Sequence, residues 1–220
     1  ARSIEDILIM RNILIEEECL LNKNLNINNI RFALVKTPYW DKVDDDTKVN
    51  LENFISNLIE SNVNVEEIDL NKLILEFSEI HKKISGYEFK RSISAERFHH
   101  YNELSDILRN GRLSDGEKMT LSDYHNLFDH LEKHKHMINN KLSSYDCLIS
   151  PSALGEALNG LEYTGSPVLN TTWTLLGLPS ITLPMFTSKN NLPIGCQFIS
   201  RKADDNKLLS IAKKILLEFS

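Results

Sequence analysis

Apolar residues recur at helical spacing from the first residues of the chain, at Ile4, Ile7, Leu8, Leu14 and Ile15. Ser3, followed three positions later by Asp6, is a capping-box-like start, so the pattern predicts a first helix running to about Glu18. The short apolar run Phe32-Ala33-Leu34-Val35, within Arg31 to Thr37 and ended by Pro38, has the character of a buried strand. Asp44 to Asp46 then cap a helix whose Val49, Leu51, Phe54, Ile55, Leu58 and Ile59 form one apolar face. Val63, Val65, Ile68 and Leu70 mark the next strand. Strand, helix, strand in this order is a βαβ unit, which predicts a parallel pair with a right-handed crossover.

From Asn71 to Lys141 the pattern is helical, with Leu73, Phe77, Ile80 and Ile84 on one face and Leu121, Tyr124, Phe128, Leu131 and Ile138 on another. Breaks are expected near Gly86 and between Gly111 and Gly116. The composition then changes: five of the eight glycines and five of the six prolines lie after Ser150, and apolar strands continue between them, which marks specified turns. Tyr145–Ser150, Ser180–Pro184 and Gly195–Ser200 are strand patterns. The last two are joined by a polar turn at Lys189-Asn190-Asn191 that is too short for a crossover helix, so they should pair antiparallel. Asp204 and Asp205 precede a final helix carrying Leu208, Leu209, Ala212, Ile215 and Leu216. The predicted fold is α/β: a mixed, mainly parallel sheet with helices on both faces.

The 220 residues suit one domain or a large part of one, and 41% apolar with 25% charged residues is ordinary for a folded soluble protein. A net charge of −6 argues against a broad phosphate-binding face, so no nucleic-acid partner is implied. No apolar run reaches the roughly 18 to 20 residues needed to span a bilayer, so no membrane partner is implied, and the default location is cytoplasmic. The chain opens Ala1-Arg2-Ser3 without an initiator methionine, which leaves an upstream leader open. The cysteines Cys19, Cys147 and Cys196 are far apart and odd in number, and are expected as buried, reduced thiols.

Histidines are the first candidates for chemistry. His125, His130, His134 and His136 lie in one predicted helix, and His130 and His134, four apart, face the same side. Zinc proteases use that spacing with glutamate directly after the first histidine, whereas Leu131 stands here. With no third ligand placed by sequence, the pair is weighted toward a solvated helix face, and no metal is expected. His99-His100 is weighted the same way. Ser143-Ser144 has Lys141 nearby but no glycine-rich turn to hold an oxyanion, which favours a polar loop before a strand. Gly155 and Gly160 form no phosphate-cradling loop, so no nucleotide and no other cofactor is implied.

The segment Thr164-Gly165-Ser166-Pro167-Val168-Leu169-Asn170-Thr171-Thr172-Trp173-Thr174-Leu175-Leu176-Gly177-Leu178-Pro179-Ser180-Ile181-Thr182-Leu183-Pro184 resembles the C-terminal motif of the amidase signature family of serine hydrolases. Leu192-Pro193-Ile194-Gly195-Cys196-Gln197, then Asp204-Asp205, Leu208-Leu209 and Ala212, follow in the family's order. Ala1 to Asp6 resembles the stretch just after the family's signature region, Thr37 to Trp40 its next strand, and Tyr145 to Pro151 its strand before the pocket loop. The resemblance spans the chain, weakly in the helical middle. Asn191 departs from it, standing where the family has glycine, and asparagine is the next most tolerant residue of a left-handed turn.

That resemblance implies hydrolysis of carboxylic amides through an acyl-enzyme, with a Ser-Ser-Lys triad in which lysine and a bridging serine act as base. The family carries its lysine and its Gly-Gly-Ser-Ser signature ahead of the Ala-Arg-Ser segment, and no part of this chain matches them. No catalytic residue is therefore assigned here. The chain is expected to be the C-terminal portion, residues 1–220, of a single amidase-like domain whose N-terminal part lies elsewhere, and to be inactive alone. Its expected contribution is the wall of the substrate pocket, with Thr164, Gly165, Asn170 and Trp173 as substrate-binding candidates and Pro179, Pro184 and Gly195 as architecture. For Trp173, a core position beneath the pocket floor stands beside the pocket role. The expected partners are a small-molecule amide and the N-terminal part of the same protein, with a homodimer left open. Alternatives are the A subunit of an aminoacyl-tRNA amidotransferase, and a non-catalytic half-domain that binds a ligand or complements a separate N-terminal half.

Overall fold

The computed structural model describes residues 1–219, and these condense into two compact units, one of residues 1–71 and 139–219, the other of residues 72–138. The first unit is built on a five-stranded sheet in the order β2-β1-β3-β5-β4. Its strands are β1 (Arg31–Leu34), β2 (Asn64–Glu67), β3 (Cys147–Pro151), β4 (Ser180–Thr187) and β5 (Pro193–Ile199). β1 pairs parallel with β2 and with β3, whereas β5 runs antiparallel to both β3 and β4. Four strands thus share one direction and β5 opposes them. The βαβ unit and the antiparallel β4–β5 pair both form as the periodicity indicates, with α2 (Asp45–Glu60) as the crossover.

Alternation along the strands sorts the core. Phe32, Leu34, Cys147, Ile149, Leu183, Cys196 and Phe198 form one buried cluster with Leu51, Phe54 and Leu58 of α2 and with Leu208, Leu209, Ile211, Ala212 and Ile215 of α9 (Asp205–Phe219). Ala33, Val35, Leu148 and Ile199 point to the opposite face and are buried as well. On that face Gln197 of β5 donates to Asn170, which stands before α8 (Thr171–Leu176). Helices therefore cover both faces of the sheet.

Asp146, just before β3, draws several strand ends together. Its carboxylate accepts from the Arg31 backbone N–H at 2.8 Å and from Lys207 Nζ at 2.6 Å, and its carbonyl accepts from Ser200 Oγ at 2.9 Å. Burial pushes its carboxyl upward in pKa, but the Lys207 hydrogen bond, the Arg31 N–H and the two positive charges outweigh it and hold the group below the usual range.

Several boundaries differ from the periodicity. The first helix, α1 (Ile4–Ile15), is capped by Ser3 Oγ as expected but stops short, with Glu16 left-handed at its C-cap. Glu16, Glu17 and Glu18 would each set a negative charge against the negative end of the helix dipole. Leu14 and Ile15 are exposed rather than packed. β4 does not end at Pro184 but continues to Thr187 across a register shift between Leu183 and Phe186, because proline cannot donate to the ladder there. Asn191 takes φ +60° in the β4–β5 turn, the left-handed geometry its replacement of glycine implied.

The second unit lies within α3 (Asn71–Ser92), α4 (Ser94–His99), two short turns α5 (Asp106–Leu108) and α6 (Ser114–Glu117), and α7 (Leu121–Leu142). Gly86 does not break a helix. It is buried inside α3, where an added Cβ would come within 2.7 Å of the Gly116 backbone N, and a Cβ on Gly116 would overlap the Gly86 carbonyl. The two glycines permit backbone contact, and α3 runs on to Ser92; the expected second break does form, at Gly111, whose φ of −98° and ψ of −108° leave the helical region.

Candidate active-site wall

A cavity of about 1130 Å³ opens on the sheet-bearing unit. Its lining comes from four places: Lys42 and Asp44 at the head of α2, the loop from Ser152 to Leu158, the segment from Tyr163 to Pro167, and Thr182, Pro184, Pro193 and Gly195 of the β4–β5 pair. The concave shape, mixed apolar and polar lining, and position beyond the end of β3 are those of a ligand site.

Asp44 shows why the loop sits where it does. As N-cap of α2 it accepts from the Thr47 N–H at 2.7 Å, while its other carboxylate oxygen takes the Glu156 N–H at 3.3 Å and its own N–H donates to the Leu154 carbonyl at 2.7 Å. One residue thus starts a helix and pins the loop. A Cβ at Gly155 would overlap that carboxylate, so the close approach requires glycine. Ser152 Oγ donates to the Gly195 carbonyl at 2.9 Å, and a Cβ at Gly195 would overlap Thr182 and Ser152. Glu156 receives the Asn190 amide at 2.6 Å, tying the loop to the β4–β5 turn. Its second carboxylate oxygen is buried without a hydrogen bond among the described residues.

The four sequence-derived candidates separate into two pairs. Thr164 and Gly165 line the cavity, with Gly165 at φ +94°. Asn170 and Trp173 stand outside its lining. Asn170 bridges two parts of the wall: its amide donates to the Ser152 carbonyl at 3.1 Å and its side-chain oxygen accepts from Gln197 Nε2 at 2.6 Å. Trp173 is 2% exposed on α8, and its Nε1 is buried without a partner among the described residues. Sequence reasoning did not single out Asp44, Ser152 or Glu156. The helix-cap pattern at Asp44 was visible, but its second role depends on a loop more than a hundred residues away.

Other candidates take plain places. Ser143 Oγ donates to the Asn140 carbonyl at 2.7 Å in the turn after α7. Cys147 and Cys196 are fully enclosed, and burial pushes both thiols far up, away from reactivity. Cys19 departs from expectation: it is partly exposed, with Arg11 Nη1 2.8 Å from its sulfur. His130 and His134 share a face of α7, as their spacing requires, and Glu76 of α3 joins them.

The amidase family model matches residues 13–209. This chain belongs to the amidase family. The A subunit of the mitochondrial glutamyl-tRNA(Gln) amidotransferase of Ornithorhynchus anatinus is 29% identical over 146 residues, covering 58% of this chain and 28% of that protein. A crystal structure of an amidase superposes with a TM-score of 0.82 at 20% identity, over 100% of this chain and 52% of the other. The substrate-complexed structure of 6-aminohexanoate cyclic dimer hydrolase gives 0.75 at 16%, over 100% and 54%. The chain thus spans about half the length of these solved structures and a smaller share of the curated relative. Among its described residues no helix is long and apolar enough to cross a membrane.

Proposed function

We propose that this amidase chain forms the substrate-pocket wall of an enzyme that hydrolyses carboxylic amide C–N bonds through an acyl-enzyme. The nucleophile and its base come from a Ser-Ser-Lys set carried by another part of the protein. The observation that supports this most strongly is the cavity itself: the segment that resembles the family's C-terminal motif supplies its wall, at Thr164 to Pro167, Thr182 and Pro184. Leu154, Ala157, Pro167 and Pro184 offer apolar surface to an acyl or amine group, while Thr164, Ser166 and Thr182 offer hydroxyls that orient it. Thr164 and Gly165 act by direct contact with substrate. Asn170 is a positioning residue that holds Ser152 to β5, and Trp173 supports the wall from the core.

The test is steady-state and burst kinetics of the complete protein on a panel of primary amides and anilides, with mass spectrometry of the quenched enzyme. A covalent acyl adduct and a burst of released amine are expected. A cooperatively folding complete protein that neither releases amine nor forms an adduct with any amide overturns the proposal and leaves a non-catalytic binding role.

A second reading is favoured by the curated relative: an A subunit of a glutamyl-tRNA(Gln) amidotransferase. Amide formation on glutamyl-tRNA(Gln) by the complete protein with its partner subunits would select this reading, and hydrolysis of simple amides without them would select the first.

A further inference from the structure

Glu76, His130 and His134 lie in the helical unit, outside the cavity and unused by the reading given to it. Their ligand atoms fall within 4.8 Å of one another. His130 Nε2 is 2.8 Å from Glu76 Oε1, and His134 Nε2 is 3.9 Å from the same oxygen. Around a tetrahedral zinc ion with bonds near 2.0–2.1 Å, neighbouring donors stand about 3.3 Å apart, midway between these two separations.

The hydrogen bonding of His134 sharpens the assignment. Its Nδ1 is 2.8 Å from the His130 carbonyl oxygen, which can only accept, so Nδ1 carries a proton. In the neutral ring the lone pair is then on Nε2, 3.9 Å from a carboxylate oxygen that is itself an acceptor. A cation bound between them would satisfy both acceptors. An Nδ1–H held by a backbone carbonyl is also the arrangement that fixes metal-bound imidazoles. The His130 and His134 rings lie tilted by 33° with centroids 4.0 Å apart, and Phe77 packs edge-on against His134, so His134 is held between two rings. All three side chains stay partly exposed, which gives an ion a way in.

We propose that Glu76, His130 and His134 form a three-ligand site for a borderline divalent transition ion, with zinc as its representative, that clamps α3 to α7. Water fills the fourth position. On binding, the ring proton of His130 moves from Nε2 to Nδ1 by exchange with solvent, so that a neutral imidazole offers its Nε2 lone pair to the ion, as His134 does. Two imidazoles and one carboxylate favour zinc over magnesium, which demands an oxygen-rich octahedron.

The experiment is calorimetric titration of the chelator-stripped complete protein with zinc chloride, alongside Glu76→Gln, His134→Gln and, as a control on the same helix, His125→Ala. One zinc per chain is expected for the unaltered protein and for His125→Ala. Affinity should be weaker by about tenfold or more in Glu76→Gln and His134→Gln. Cobalt should give visible d–d bands that both site variants lose, and zinc should raise the melting midpoint only where the three ligands are intact. Chelator-stripped variants that melt with the unaltered protein exclude a folding defect, and Glu76→Gln alone decides the matter if His134→Gln does not fold. Absence of saturable zinc binding, or zinc binding unchanged by Glu76→Gln, overturns the proposal and leaves Glu76, His130 and His134 as a hydrogen-bonded surface cluster.

Discussion

In the sheet-bearing unit of this amidase-family chain, glycine and proline stand where the backbone itself is constrained: Gly155 against Asp44, Gly195 against Thr182 and Ser152, Pro184 at the strand irregularity. In the helical unit, the backbone contact of Gly86 on Gly116 stands beside buried side chains at Ile74, Phe77, Ile80, Ile84, Tyr87 and Leu131. That unit also exposes Phe98, at 85%, and Ile107, at 83%. The two units therefore tolerate sequence change differently. Interchangeable apolar side chains can fill a helical interface, whereas a turn or a close backbone approach admits one or two residue types. This accounts for a family motif that is dense from Thr164 to Gln197 and faint from Asn71 to Lys141.

The contrast is disturbed most severely at Trp173. Trp173→Ala should cost about 3–5 kcal/mol, read by denaturant unfolding, because the ring is enclosed and no neighbour can refill its volume. Kinetics per folded molecule should be unchanged, assigning Trp173 to the core, whereas a raised KM with little loss of stability would return it to the pocket. Next is Gly116→Val, expected to cost about 2–3 kcal/mol by forcing α3 away from the residue 116 backbone. Hydrogen exchange should report the damage within residues 72–138, and a uniform loss of protection across the chain would show that the two units unfold together.

A smaller effect is expected at Asp146. Its native carboxyl titrates below the usual aspartate value, so the charged pair with Lys207 stabilises the fold above about pH 4 and loses that contribution as pH falls through the lowered native value. Asp146→Asn should cost about 1–2 kcal/mol at neutral pH and flatten the acid limb of a stability profile. An unchanged acid limb would remove Asp146 from its role as the tie among β1, β3 and α9. Smallest is Asn191→Ala, about 1 kcal/mol less stable at φ +60°, with Asn191→Gly tolerated. Equal melting of the two variants would show that the β4–β5 turn is not conformationally specified.

Much of the fold was legible because periodicity is a one-dimensional record of burial. Phe32 to Val35, the α2 face and the polar Lys189–Asn191 turn lead directly to a parallel pair and an antiparallel pair. What failed did so locally: Gly86 looks like a helix break in sequence, and only its neighbour Gly116, thirty residues on, shows it to be a packing contact. The candidate site was half legible. Thr164 and Gly165 came from a contiguous motif, whereas Asp44, Ser152 and Glu156 reach the cavity through hydrogen bonds between distant segments.

Strand and helix order, the family likeness and the His130–His134 pair are all written along the chain, because each rests on spacing within one segment. Folding in three dimensions settled the rest: that Asp44 pins the pocket loop, that Asn170 braces Ser152 to β5, and that Glu76 completes a ligand set with two histidines 54 and 58 positions away. Chain spacing carries no record of which helix faces which. That information is created only when apolar faces are buried together and the polar groups brought with them must find partners.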